Sequence, residues 1–140
     1  MGLRYFCEDV VFPTLPRRKT SHWIKEVIVK EGYVPGNINF IFCSDKYLHT
    51  INQQYLKHDT YTDIITFDQS EEEDLVEGDI YISTDRVNEN ALKEGTNKED
   101  ELHRVIIHGI LHLVGYSDKG EKEKKIMREK EDACLSLRQN

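Results

Sequence analysis

Between Leu102 and Val114 the chain carries apolar residues on nearly every side of a potential helix: Leu102, Val105, Ile106, Ile107, Ile110, Leu111, Leu113 and Val114. A helix that is apolar nearly all round must be surrounded, so this segment belongs at the centre of whatever the chain folds into. Histidines interrupt it, two of them, His108 and His112, four residues apart. At about 100° and 1.5 Å per residue they share one face roughly one turn apart, where two imidazoles reach a single metal ion. Gly115 offers a helix stop, because glycine tolerates the left-handed conformation that often follows a last turn. The chain can turn back there, and Asp118 stands where it can supply a third ligand from beyond the helix end. Two imidazoles and a carboxylate leave one position open for water, the plan of catalytic rather than structural zinc sites.

A plainer reading competes. One histidine on an apolar helix is usually a satisfied core residue, and a pair four apart arises by chance in a chain with six histidines. Gly115 and a carboxylate placed to close the site favour the metal. Zinc proteases of the His-Glu-x-x-His type need a glutamate after the first histidine as general base. This chain has Gly109 there, which argues against that class.

With 140 residues the chain is long enough to bury about two thirds of its unfolded surface, and it reads as one domain spanning 1–140. No apolar run approaches the ~20 residues that span a bilayer, and the amino terminus lacks a basic region followed by an apolar core. These features point to a cytoplasmic protein with no membrane partner. Cys7, Cys43 and Cys134 are few, odd in number and far apart, as expected of reduced thiols. At first sight a net charge of −7 opposes a nucleic-acid partner. Asp68, Glu71, Glu72, Glu73, Asp74, Glu77 and Asp79 account for it: with these set aside, 19 acids face 19 bases. A neutral remainder is compatible with a basic face without demonstrating one.

Taken in order, Leu3 to Val11 reads as an edge strand, broken by Pro13 and Pro16. A helix follows over about 17–31, buried through Trp23, Ile24, Val27 and Ile28, with the basic cluster 17–19 as its solvated start. Residues 37–43 have the β-branched and aromatic content of a buried strand. Ser44 caps a helix over 45–56, with Leu48, Ile51 and Tyr55 on one side. Strands at 63–67 and 78–83 pair as a long-looped hairpin, the acidic segment between them being a solvent-exposed excursion. Thr84 or Ser83 caps the next helix, stopped by Gly95, and Asn97 caps the histidine-bearing one with acids in its first turn. A last helix over 121–137 turns Ile126, Met127, Ala133, Cys134 and Leu137 inward. The order predicts an α+β domain: a small mixed four-stranded sheet covered by helices, with the metal-bearing helix central.

The stretch from His108 resembles the signature of the YbeY family, bacterial metal-dependent endoribonucleases of ribosomal RNA maturation. The family pattern is His-Gly-x-Leu-His-Leu-x-Gly-Tyr-Asp-His, then a helix with Met-x-x-x-Glu. His108, Gly109, Leu111, His112, Leu113, Gly115, Tyr116, Met127 and Glu131 match. Where the family has its third histidine, this chain has Asp118, preceded by Ser117. Oxygen is acceptable to zinc but shifts preference towards harder ions. Earlier, Asn52, Tyr55, Asp59, Thr62, Asp63 and Phe67 match one family block, and Gly78, Asp79, Ile80, Ile82 and Ser83 another. The similarity spans about residues 37–135 in order and spacing.

The resemblance implies one zinc, or another divalent ion, held by His108, His112 and Asp118. It also implies hydrolysis of single-stranded RNA in 16S rRNA 3′-end maturation, with precursor rRNA and the ribosomal subunit or its proteins as partners. Tyr116 and the loop from Lys57 to Asp63 are expected to line the cleft, and Asp63 is alternatively structural, bonding backbone amides where its strand begins. No residue stands out as general base. The family arginine that contacts phosphate is Leu56 here, which cannot bond a phosphate. Lys57 or His58 either substitutes from beside it or is a plain loop residue. That loss leaves open a non-catalytic ribosome-biogenesis factor with a structural metal; another zinc-dependent hydrolase is the third option.

Overall fold

The computed structural model describes residues 2–57 and 61–138. Nine elements follow one another: β1 (Leu3–Cys7), α1 (Arg17–Lys30), β2 (Val34–Cys43), α2 (Asp45–Tyr55), β3 (Ile64–Asp68), β4 (Leu75–Ser83), α3 (Thr84–Glu94), α4 (Lys98–Leu113) and α5 (Glu121–Leu135). The strands form one mixed sheet in the order β1-β2-β4-β3. β1 pairs parallel to β2 and β2 parallel to β4, while β3 runs antiparallel to β4. The expected α+β architecture is therefore present, with β1 at an edge and β3 and β4 forming the hairpin.

Alternation along the strands sorts side chains between two layers. Ile38, Phe40 and Phe42 of β2, with Val76, Ile80 and Ile82 of β4, enter the main core with α1, α4 and α5. On the other face Cys43, Leu48, Ile51 and Ile65 make a smaller core under α2, edged by Tyr47, Phe67 and Tyr81. Ile106, Ile107, Ile110 and Leu111 are fully buried, so α4 is indeed the central helix. Ser44, Ser83 and Asn97 cap α2, α3 and α4 by accepting from the N–H groups of Tyr47, Arg86 and Asp100. The basic residues 17–19 are exposed, as a solvated helix start requires.

Four expectations need correction. The first strand, expected over Leu3 to Val11, ends at Cys7. β2 and β4 each begin three residues before the expected starts at 37 and 78, because Val34 pairs with Leu75 and Pro35 with Val76 across an irregularity in register. Pro35 and Gly36, poor strand formers, conceal that start, and the acidic excursion is correspondingly shorter. On α5 the inward face is Met127, Glu131 and Cys134, while Ile126 and Ala133 are exposed. Ile126 lies about 100° round the helix from Met127, and the narrow inward stripe of α5 takes Met127, Glu131 and Cys134 and leaves Ile126 outside it. Tyr55, expected on the buried side of α2, is 66% exposed because α2 ends there. No helix among the described residues is long and apolar enough to cross a membrane.

Candidate metal centre

α4 reaches its functional position because of Gly109. A Cβ on this residue would lie 2.8 Å from Ile64 Cδ1 and 3.2 Å from Ile80 Cγ2, so the helix rests on the sheet at the one residue without a side chain. The neighbouring His108 is thereby held against the end of β3, and His112 follows one turn later.

Beyond α4 the chain reverses at Gly115, whose φ of 106° lies in the region glycine favours. Its N–H donates to His112 O and that of Tyr116 to Leu111 O, closing the helix end. Three further bonds fasten the turn. Tyr33 Oη donates to Val114 O (3.1 Å) and Tyr116 Oη to Glu31 Oε1 (2.7 Å), while Lys130 Nζ donates to Glu31 Oε2 (2.7 Å). So secured, the turn brings Asp118 back over the two histidines.

The donor atoms converge. His108 Nε2 lies 3.0 Å from His112 Nε2, and Asp118 Oδ2 lies 3.3 Å from the first and 3.5 Å from the second. Ligands about 2.0–2.1 Å from a tetrahedral ion stand about 3.3 Å from one another, so these atoms have the spacing of one face of such a tetrahedron. The donor set is also chemically suited: two imidazoles and a carboxylate, each partly exposed.

Glu131 orients the cluster from behind. Its Oε2 lies 2.6 Å from His108 Nδ1, and its Oε1 accepts from Arg104 Nη1 at 2.9 Å. A carboxylate at Nδ1 places the proton there and leaves the Nε2 lone pair facing the cluster. Burial alone would pull the His108 pKa down, but the bond to Glu131 and the charges of Glu131, Asp118 and Asp63 outweigh it and the pKa is raised. His112 is lowered, first by burial and then by the charge of His108.

A cleft of about 340 Å³ opens beside the cluster, lined by His108, Asp118, Glu131 and Asp63 among others. Asp63 meets backbone amides where β3 begins: its carbonyl accepts from Ser83 N (3.0 Å), and its carboxylate accepts from its own N–H. That carboxyl group also lines the cleft, and burial raises its pKa against the charge of His108 and the backbone bond. Tyr116 is different from expectation, since its hydroxyl is spent on Glu31 and it does not line this cleft; nor does Lys57. His58 and Asp59 lie outside the described residues. A larger cavity, about 660 Å³, lies between α1 and the start of α4, around Trp23 and His103. It holds no comparable donor set among the described residues: His103 there is a satisfied core residue, bonded to Thr20 Oγ1 and Glu99 O.

Sequence reasoning matches Glu131 only as part of a pattern and gives Arg104 no role. The chain separation of Glu131 from His108 obeys no local spacing. Its place on the inward stripe of α5 is a signal in itself, since a buried carboxylate demands a partner.

A family profile described as endoribonuclease YbeY matches residues 12–138. A curated endoribonuclease YbeY from Cytophaga hutchinsonii is 52% identical over 134 residues, covering 96% of this chain and 94% of that protein. One from Bacteroides thetaiotaomicron is 49% identical, covering 99% of this chain and all of the relative. The solution structure of TM1509 from Thermotoga maritima is similar at TM-score 0.66 and 32% identity, covering 96% of this chain and 87% of that one.

Proposed function

The chain belongs to the YbeY endoribonuclease family, and from that premise we propose that it hydrolyses phosphodiesters of ribosomal RNA precursors with an ion held by His108, His112 and Asp118. The observation that carries the ligand assignment is the convergence of their three donor atoms on one tetrahedral face. The proposed ion is zinc, with another divalent ion admissible because one donor is a hard oxygen. When bound, it supplies Lewis acidity towards water and a phosphoryl oxygen. Glu131 keeps His108 in the tautomer that presents Nε2, and Arg104 holds Glu131 in position. Asp63, its carboxyl pKa raised by burial, is the proposed proton acceptor on the cleft wall. The residues act as one hydrolase domain, and work on precursor rRNA is cytoplasmic, in contact with the ribosomal subunit or its proteins.

One observation favours a second reading, a ribosome-biogenesis factor that binds RNA without cutting it: Leu56 stands where the resemblance has a phosphate-contacting arginine.

Elemental analysis and RNA cleavage, run on wild type and Asp118→Ala together, test the proposal. Near one equivalent of zinc per chain and cleavage of unstructured RNA are expected, both falling sharply in the variant. Full metal retention by the variant removes Asp118 from the ligand set. Metal-loaded wild type that binds rRNA and never cleaves it establishes the second reading instead.

A further inference from the structure

We infer that Lys124 and Arg128 of α5 form the phosphate-binding side of the cleft, the role that Leu56 leaves vacant. This rests on the reading of the protein as an RNA-binding enzyme and assigns the phosphate to a different element of the fold.

Placement is the first argument. Both residues line the cleft that also contains His108, Asp118 and Asp63. They stand one turn apart on α5, about 6 Å along its axis, and Glu131 follows on the same side of the helix. One helix thus orients a metal-centre histidine through Glu131 and presents two cations to the approach of that centre.

Availability is the second. The other cations near the core are committed: Arg104 to Glu131 and Asp132 (2.9 and 2.6 Å), Lys130 to Glu31 (2.7 Å), Arg138 to Asp100 (3.1 Å). Lys124 and Arg128 are exposed and make no ion pair with any described residue. The charge of Arg128 acts on Glu101 of the same cleft, but neither cation is held in a direct ion pair and both can meet a ligand.

Necessity is the third. Glu94 and Glu101 join Asp63, Asp118 and Glu131 in the lining. A wall of carboxylates repels a polyanion, so a phosphodiester is guided to this cleft only along a cationic border. Arginine adds a planar fork that grips two phosphate oxygens, and lysine a mobile point charge beside it.

The test is fluorescence anisotropy of a short unstructured oligoribonucleotide titrated with the metal-loaded full chain over a series of salt concentrations. Lys124→Ala/Arg128→Ala should weaken binding about tenfold at low salt and flatten the log–log salt dependence by about 0.7 for each phosphate no longer neutralised. Metal content should be unchanged, and so should the salt slope of a charge-matched control, Lys25→Ala/Lys46→Ala. Lys124→Arg alone, which keeps the charge, should bind like wild type. Wild-type binding with an unaltered slope in the double variant overturns this inference alone. A wild type that binds no RNA overturns it together with the reading on which it rests.

Discussion

Glu131 Oε2 and His108 Nδ1 meet at 2.6 Å although 23 residues separate them, and through that bond α5 sets the orientation of a ring on α4. The same carboxylate accepts from Arg104, so a change at Glu131 leaves the imidazole without its partner and Arg104 with Asp132 alone. Glu131→Gln preserves shape and removes the charge. We expect metal affinity to fall about 10-fold to 100-fold while the fold survives. Competition against a chromophoric chelator, with circular dichroism as the fold control, measures it; unchanged affinity removes Glu131 from the support of the centre.

The identity of the ion depends on Asp118. Asp118→His replaces the oxygen donor by a third imidazole, which favours zinc over manganese by about tenfold or more relative to wild type. Parallel titrations with the two metals give the ratio. An unchanged ratio would mean that the substituted side chain does not reach the ion.

Acid should strip the metal along a predictable course. His108 must be neutral to donate Nε2, and in the metal-free protein its pKa is raised above the ordinary 6.5, because Glu131, Asp118 and Asp63 outweigh the effect of burial. Protons therefore begin to compete above pH 6.5, and affinity is lost as pH falls through the raised value. His112 is lowered by burial and by His108, so it stays neutral over that window and one proton is displaced per ion. Log affinity should fall by about one per pH unit below the His108 value. In Glu131→Gln the break should move to lower pH, and a break that stays in position would count against Glu131 as its cause.

Gly109 should tolerate no branched side chain. Gly109→Val adds carbons where Ile64 Cδ1 and Ile80 Cγ2 already stand at 2.8 and 3.2 Å from a Cβ, and overpacking of this kind costs about 1–3 kcal/mol or more. A lower urea midpoint at unchanged slope, with weaker metal binding because His108 is displaced, is the expected result. A midpoint equal to wild type would show that α4 does not rest on the sheet at this residue.

The sequence is most informative where chemistry and periodicity coincide. His108, His112 and Asp118 are close in the chain, so helical geometry and one glycine turn suffice to bring them together. The central position of α4 follows from its apolar surface, and the β3–β4 hairpin from alternation and spacing. What is not legible is long-range or irregular. Glu131 and Arg104 join His108 through the tertiary packing of α4 on α5. Pro35 and Gly36 hide the early starts of β2 and β4, and Ile126 beside Met127 blurs the inward face of α5. Gly109 is legible as the absence of a glutamate; its role between helix and sheet emerges only from the positions of Ile64 and Ile80.

The three donor residues all fall within 108–118, and this shapes how the ion acts on folding. Closing so short a loop costs the denatured chain little entropy, so a disordered or partly helical chain can still gather two of the donors, and sometimes the third. Affinity for the denatured state subtracts from the stabilisation that ligand binding otherwise confers. The rise in melting temperature on loading should therefore be smaller than the native affinity alone implies, and the ion is better regarded as a guest of an already stable core than as its clasp.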